Sequence, residues 1–527
     1  GQITSRPGDR EPSSRKKRTF IPSEHRKQFR VEDDAELLDA PPRSKQLPPL
    51  DLLIDEKSIR PNERHINQNA GLIEKTLAEF GLPAKVVGFQ VGPTITQFAV
   101  EPGYVERAGA EGESARQKVR VSQISALQRD LALALSAQRL RIEAPVPGRS
   151  FVGIEVPNLR SNVVRLRPIL ESSAFYQSDS PLALALGRDV SGQTVIADLA
   201  RMPHLLIAGT TGSGKSVCIS AITVCLAMNN SPEDLRLVMI DPKMVELVPF
   251  NGLPHVIGKV ETNLDRIAAV LRWVVLEMER RYKKFEDLRA RDLKSYNRKA
   301  RRRKETEPLP RLVVLIDELA DLMMSAAEQT EATLVRLAQM GRATGIHLVV
   351  ATQRPSTDVV TGLIKANFPA RLSFAVASGV DSRVILDETG AETLLGRGDM
   401  LFLAPEAGTT VRSQGVMVGD QEIEAVIKFW REYWEDGEEA SPWDVMIQEE
   451  GVMADRDDLV EKAIEEITSS GKANASHLQR KLRIGYPRAA RLMDELEDMG
   501  IVGPARGSGR EREVLIDQED EENGEED

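Results

Sequence analysis

Five short apolar runs, at 205–208, 235–240, 312–316, 347–351 and 371–376, punctuate the middle of the chain, with helically spaced segments between them. Unbroken runs this short suit parallel strands buried on both faces, whereas a half-exposed strand would alternate. Residues 161–440 are therefore predicted to form an α/β unit built on a parallel sheet. The pattern differs upstream. Leu72, Ile73, Leu77 and Phe80 mark one amphipathic helix, and Ile124, Leu127, Leu131 and Leu135 mark another. A strand at 94–100 lies between them, and two more at 140–143 and 151–156 bracket the turn 145–148. Residues 46–160 thus read as a small α+β domain. Downstream, 454–517 holds three helical segments and then two short strands around a Gly/Arg loop, the pattern of a winged helix-turn-helix. The remainder reads as connection: a disordered basic linker at 1–45, a polar linker at 441–453 and an acidic tail at 518–527.

Composition narrows the class. The chain has 527 residues and is 41% hydrophobic, enough for several ordinary cores. It contains no apolar run of 18 residues, so no membrane-spanning segment is expected in this chain. It begins with Gly1 rather than Met, which predicts a fragment of a longer protein. The formal charge is −11, with basic clusters at 15–18 and 298–304 and an acidic one at 519–527. That balance excludes a simple polycation coating DNA but leaves room for a ring with a basic inner face. Cys218 and Cys225 are expected to be buried thiols in a reducing compartment. The six histidines show no metal-ligand spacing, so no zinc site is expected.

The chemistry begins where the first apolar run ends. Gly209-Thr210-Thr211-Gly212-Ser213-Gly214-Lys215-Ser216 is a complete phosphate-binding loop between a strand and a helix. Glycines let backbone N–H groups close around phosphates, and the helix N-terminus adds a favourable dipole. Lys215 would reach the β- and γ-phosphates of ATP, and Ser216 would ligate Mg²⁺. The run at 312–316 ends in Asp317 and Glu318, the first suited to holding Mg²⁺ and the second to activating water. Another run ends at Asp241, with Glu246 shortly after. Glu246 is a reserve base and Asp241 a structural cap. Gln353 follows the run at 347–351; it either senses the γ-phosphate or simply ends a strand in solvent.

Taken together, the stretches 202–216, 240–247, 315–322, 342–347, 351–355, 395–400 and 478–493 resemble the FtsK/SpoIIIE family of bacterial DNA translocases. The resemblance implies an α domain, a RecA-like β domain and a winged-helix γ domain. It also implies a homo-hexamer that hydrolyses ATP between subunits and pulls double-stranded DNA through its pore during chromosome segregation. Arg342 resembles the arginine finger, acting in trans. Arg354 and Lys365 resemble cations of a first pore loop and Arg383 one of a second, where Gly379 stands in place of a lysine found in some relatives. Arg488 and Arg491 resemble base-reading residues for G-rich orienting sequences, while Pro487 replaces a usual Asn. Arg506, Arg510 and Arg512 fall in the wing, where phosphate contact is expected. The resemblance further implies a cytoplasmic motor whose full-length protein is anchored in the membrane at the septum, with a recombinase and division proteins as partners. Secretion ATPases that share the motor motifs generally lack the unit at 478–516, which separates the two readings.

Overall fold

The computed structural model describes residues 43–57, 60–108, 114–144, 146, 148–303, 306–434, 441–504 and 512–515, together with Lys27. The expected basic linker, except Lys27 and residues 43–45, and the acidic tail lie outside them, as do Arg506 and Arg510. The chain divides into two compact units, Gly1–Glu439 and Ala440–Asp527. No helix among the described residues is long and apolar enough to cross a membrane.

The first unit opens with strands β1 (Ala84–Val91), β2 (Ile95–Pro102), β3 (Tyr104–Ala108), β4 (Ser114–Lys118), β5 (Arg141–Glu143) and β6 (Val152–Pro157). β1, β2, β6 and β5 pair antiparallel in that order, and β3 and β4 form a separate hairpin. The helix Glu63–Glu79 starts at the Asn62 cap, whose side chain accepts the His65 N–H. Ile66, Ala70, Ile73 and Leu77 recur at helical spacing and are buried with Phe98, Val100 and Ile154 of the sheet. Phe80, expected on that face, stands past the last helical turn and is 52% exposed, because Gly81 turns the chain through a left-handed φ of 70°. The expected second helix is two short ones, Val121–Ala126 and Gln128–Ala134, which still bury Ile124 and Leu131.

Nine further strands make one large sheet: β7 (Ala183–Asp189), β8 (Thr194–Asp198), β9 (His204–Ala208), β10 (Leu235–Ile240), β11 (Arg311–Ile316), β12 (Ile346–Thr352), β13 (Ala370–Phe374), β14 (Asp399–Leu403) and β15 (Val411–Gly415). Their order is β10-β11-β12-β9-β13-β14-β15-β7-β8. The half from β10 to β13 is parallel and contains all five apolar runs; the other half is antiparallel. The helix Lys215–Asn229 is buried nearly all round, consistent with its run of apolar side chains. One neighbour is the helix Asp420–Tyr433, whose Trp430 donates its indole N–H to Ala227 O at 3.0 Å. Between β11 and β12 runs the helix Leu319–Thr344, broken at Ala326 (φ −151°, ψ 70°) and ended by Gly345 at φ 74°. The small and large sheets are tied by a buried charge cluster. Arg412 on β15 bonds Glu155 on β6 (2.5 Å) and Asp399 on β14 (2.6 Å), and Glu155 also accepts from Arg141 on β5 at 3.1 Å.

The second unit has helices Pro442–Ser470, Ala475–Leu482 and Tyr486–Asp498, followed by bridges Ala473↔Arg512 and Val502↔Val514. This is the winged-helix arrangement. Residues 442–453, expected as part of a linker, instead open the first helix, with Pro442 in its first turn where the missing N–H is harmless. Ala489, Leu492, Met493 and Leu496 form the core face of the last helix. Met499, next along the helical period of that face, is 57% exposed because the helix ends one residue earlier and Gly500 (φ 74°) redirects the chain.

Candidate nucleotide site and nucleic-acid surfaces

The phosphate loop joins the end of β9 to the helix Lys215–Asn229, at the carboxyl ends of the parallel strands. Two of its glycines are required by crowding. A Cβ on Gly209 would stand 2.6 Å from Ser213 Oγ and 2.7 Å from Phe374 Cβ. Gly214 has φ 119°, and a Cβ there would stand 2.6 Å from the Gly398 nitrogen. Neither position accepts a larger residue without displacing backbone or core.

β11 delivers Asp317 and Glu318 beside this loop. Lys215, only 3% exposed, places Nζ 2.6 Å from both the Asp317 side chain and its carbonyl. Burial raises the Asp317 carboxyl above its ordinary pKa, an effect Lys215 only partly offsets. Asp317 Oδ2 is buried with no hydrogen-bond partner. Ser216 Oγ donates to Glu246 Oε1 at 2.5 Å. Glu318 Oε1 accepts from Thr352 Oγ1 (2.8 Å) and the Gln353 N–H (3.0 Å), while Oε2 accepts from Lys243 Nζ (2.5 Å). Burial pushes this carboxyl up, but the donors outweigh it and hold its pKa below the usual carboxylate range. Gln353 also accepts from Thr211 Oγ1 at 2.9 Å, which joins it to the phosphate loop. Asp241 accepts the backbone N–H groups of Lys243, Val245, Glu246 and Leu247, organising the turn after β10.

A cleft of about 740 Å³ opens over the loop, a size that suits a nucleotide. Lys215, Ser216, Glu246 and Gln353 line it; Glu318 does not. Nothing in the sequence placed two of its walls at the site. One is the turn Gly396-Arg397-Gly398, the other Thr94 with residues 161–164, which join the small domain to the large one. Lys243 went unread as well. It is 75 residues from Glu318 in sequence, and no local spacing signals their contact.

The other candidate cations are dispersed. Arg342 is exposed near the end of the helix Leu319–Thr344, which returns the chain to the amino end of β12 and so to the opposite end of the parallel strands from the loop. Arg354 is exposed, with Nη1 2.9 Å from Met324 Sδ. Lys365, on the helix Gly362–Asn367, is held by Asp387 at 2.8 Å. Arg383 is exposed on the helix Gly379–Leu386. In the second unit Arg488 and Arg491 are exposed on the last helix, away from its buried face. Arg512, expected to meet phosphate, is instead committed to Asp494 and Glu497, each at 2.7 Å, and to the Met493 carbonyl. That is a structural role within the wing.

Comparison with known proteins gives a consistent assignment. The FtsK alpha domain matches at 47–158, the FtsK/SpoIIIE family at 165–357 and the Ftsk gamma domain at 454–517. The DNA translocase FtsK of Clostridium tetani is 46% identical over 483 residues, covering 90% of this chain and 63% of that protein. The DNA translocase SpoIIIE of Bacillus subtilis is 44% identical over 504 residues, covering 92% and 62%. The chain thus spans less than two thirds of the length of these relatives. Among solved structures, the pCW3 conjugation coupling protein TcpA with ATPγS aligns at TM-score 0.47 and 23% identity, over 69% of this chain and 99% of that one.

Proposed function

Because the chain belongs to the FtsK/SpoIIIE family, we propose that it hydrolyses ATP and uses the energy to move double-stranded DNA through a homo-hexameric ring. The DNA is oriented by G-rich sequences, and the activity serves chromosome segregation at division. The observation that carries this reading is the meeting of Lys215, Ser216, Glu246 and Gln353 in one cleft, with Asp317 and Glu318 directly behind.

In this reading the backbone of Gly209, Thr210, Thr211, Gly212, Ser213 and Gly214 cradles the phosphates, and Lys215 turns from Asp317 toward the β- and γ-phosphates. The donor set fits Mg²⁺: the Ser216 hydroxyl and the Asp317 carboxylate, whose buried Oδ2 has no hydrogen-bond partner. When bound, the ion would neutralise phosphate charge. Glu318 draws a proton from the attacking water, and Gln353, bonded to both Glu318 and Thr211, reports the state of the phosphates. Glu246 orients Ser216. Arg342 lies across the sheet from its own loop by the length of β12, seven residues or about 20 Å. It therefore serves the site of a neighbouring subunit, which makes the ring a requirement of the chemistry. Arg354, Lys365 and Arg383 grip the phosphate backbone without reading sequence, and Arg488 and Arg491 read base edges in the major groove.

The test is ATP turnover by purified rings, together with displacement of a protein roadblock from linear duplex DNA. Strong stimulation by duplex DNA and ATP-dependent displacement are expected. Rings that consume ATP but leave the roadblock in place would overturn the translocase reading.

A further inference from the structure

Lys243 has no part in the scheme above, yet its ammonium lies 2.5 Å from Glu318 Oε2. The remaining donors to that carboxylate are hydroxyl or backbone groups of β12, of Gln353 just after it, and of the first turn of the helix Leu319–Thr344. Thr352 Oγ1, the Gln353 N–H and, at 3.4 Å, the Ala320 N–H all converge on Oε1. A carboxylate oxygen offers about two good acceptor positions, so Oε1 is fully engaged. Oε2 carries only Lys243 and a longer 3.3 Å contact from the Gln353 N–H. It is therefore the oxygen left to accept a proton from water. Glu318 is 1% exposed, whereas the Lys243 side chain, on its flexible stem, is 35% exposed. The ammonium is thus the more exposed partner of the pair and covers the one oxygen of the base that is not fully engaged.

We infer that Lys243 is a latch: by capping Glu318 Oε2 it holds ATP hydrolysis down until it is withdrawn. The inference rests on the proposed function, since it assigns Glu318 as the base. Two features make withdrawal a concerted event. The Asp241 side chain accepts four N–H groups of the turn, those of Lys243, Val245, Glu246 and Leu247, so residues 241–247 move as one body. That body carries Lys243 to Glu318 and Glu246 to Ser216, and it shows Met244 and Val245 on its outer side, each 62% exposed. On the far side of Glu318, Arg354 follows Gln353 directly and donates its N–H to Thr352 Oγ1 at 3.1 Å. A pull on Arg354 by a DNA phosphate thus displaces Thr352, Gln353 and Glu318 relative to Lys243. DNA contact and base release then become one movement.

The experiment compares ATP turnover per subunit, with and without linear duplex DNA, in the parent, K243M, K243A and K243R. If the latched form outnumbers the open one about ten to one, removing the cation raises the DNA-free rate about tenfold. The DNA-saturated rate is expected to stay within about twofold of the parent, so the stimulation ratio collapses. K243R restores a cation and is expected to return the DNA-free rate toward the parent value. A structural defect would lower rates and could not produce this gain. The latch is overturned if both K243M and K243A lose the two rates together, or if both keep the parent's DNA-free rate. A parent that does not turn over ATP would instead overturn the proposed function itself.

Discussion

Replacing Arg412 by Met should loosen the junction between the small and large sheets, and the structure sets the scale. Arg412 is 5% exposed and bonds Asp399 through Nε (3.0 Å) and Nη2 (2.6 Å), and Glu155 through Nη1 (2.5 Å). Burial lifts the Glu155 carboxyl, but Arg141 and Arg412 outweigh it and hold its pKa below the usual range. Without Arg412, Glu155 keeps Arg141, but Asp399 loses the cation it bonds while remaining 1% exposed. Removing one partner of such a cluster costs about 3–5 kcal/mol, most of it from the charge left behind. In native-state hydrogen exchange that cost appears as opening of β6, β14 and β15 by about two to four orders of magnitude more often. The control adds Asp399→Asn, which removes the stranded charge and should recover at least about half of the loss. If Arg412→Met exchanged within about threefold of the parent in those strands, the buried charges would not be coupled as argued.

Other expectations are independent of that junction. Gly214→Ala forces a side chain into φ 119° and against the Gly398 backbone, so fluorescent-nucleotide titration should show at least about tenfold weaker binding; parent-like affinity would refute the crowding argument. Glu318→Gln should still bind ATP but lose about 10²–10⁴ in turnover, and near-parent turnover would remove it as the base. Arg342→Ala rings and Lys215→Ala rings should each be inactive, yet mixed rings should regain turnover where an intact finger faces an intact loop; no recovery would count against action in trans. His204, His255 and His347 are buried, which lowers their pKa to about 3, 4 and 4. Unfolded histidine titrates near 6.5, so each favours the native state above that pH. Each should lose about 1.4 kcal/mol per pH unit on acidification from there toward its folded value; a melting temperature flat from pH 7 to about 5 would refute this.

The parallel half of the sheet was legible because strands covered on both faces carry uninterrupted apolar runs. Its antiparallel half was not. β7 is rich in Ala and Leu, which favour helix, and β15 (Val-Arg-Ser-Gln-Gly) looks like surface loop. Arg412 shows why. Its burial depends on two carboxylates from other strands, one of them in another domain, and no local pattern records that. The phosphate loop and the Asp317-Glu318 pair were readable because strand, turn and chemistry are contiguous. Lys243 and the walls at 161–164 and 396–398 were not, being brought to the site by tertiary folding alone. Phe80 was misplaced for a simpler reason: it follows the helical period one step past a terminus, as Met499 does in the second unit.

The small antiparallel domain contributes Thr94 and the segment 161–164 to the wall of the nucleotide cleft. Any ligand that touches both bodies favours their present arrangement over a splayed one, by the difference in its affinity for the two. The linkage is reciprocal: whatever shifts the small domain relative to the large one must tighten or weaken binding in the cleft by the same factor. A domain without catalytic side chains of its own can thus set the affinity for fuel.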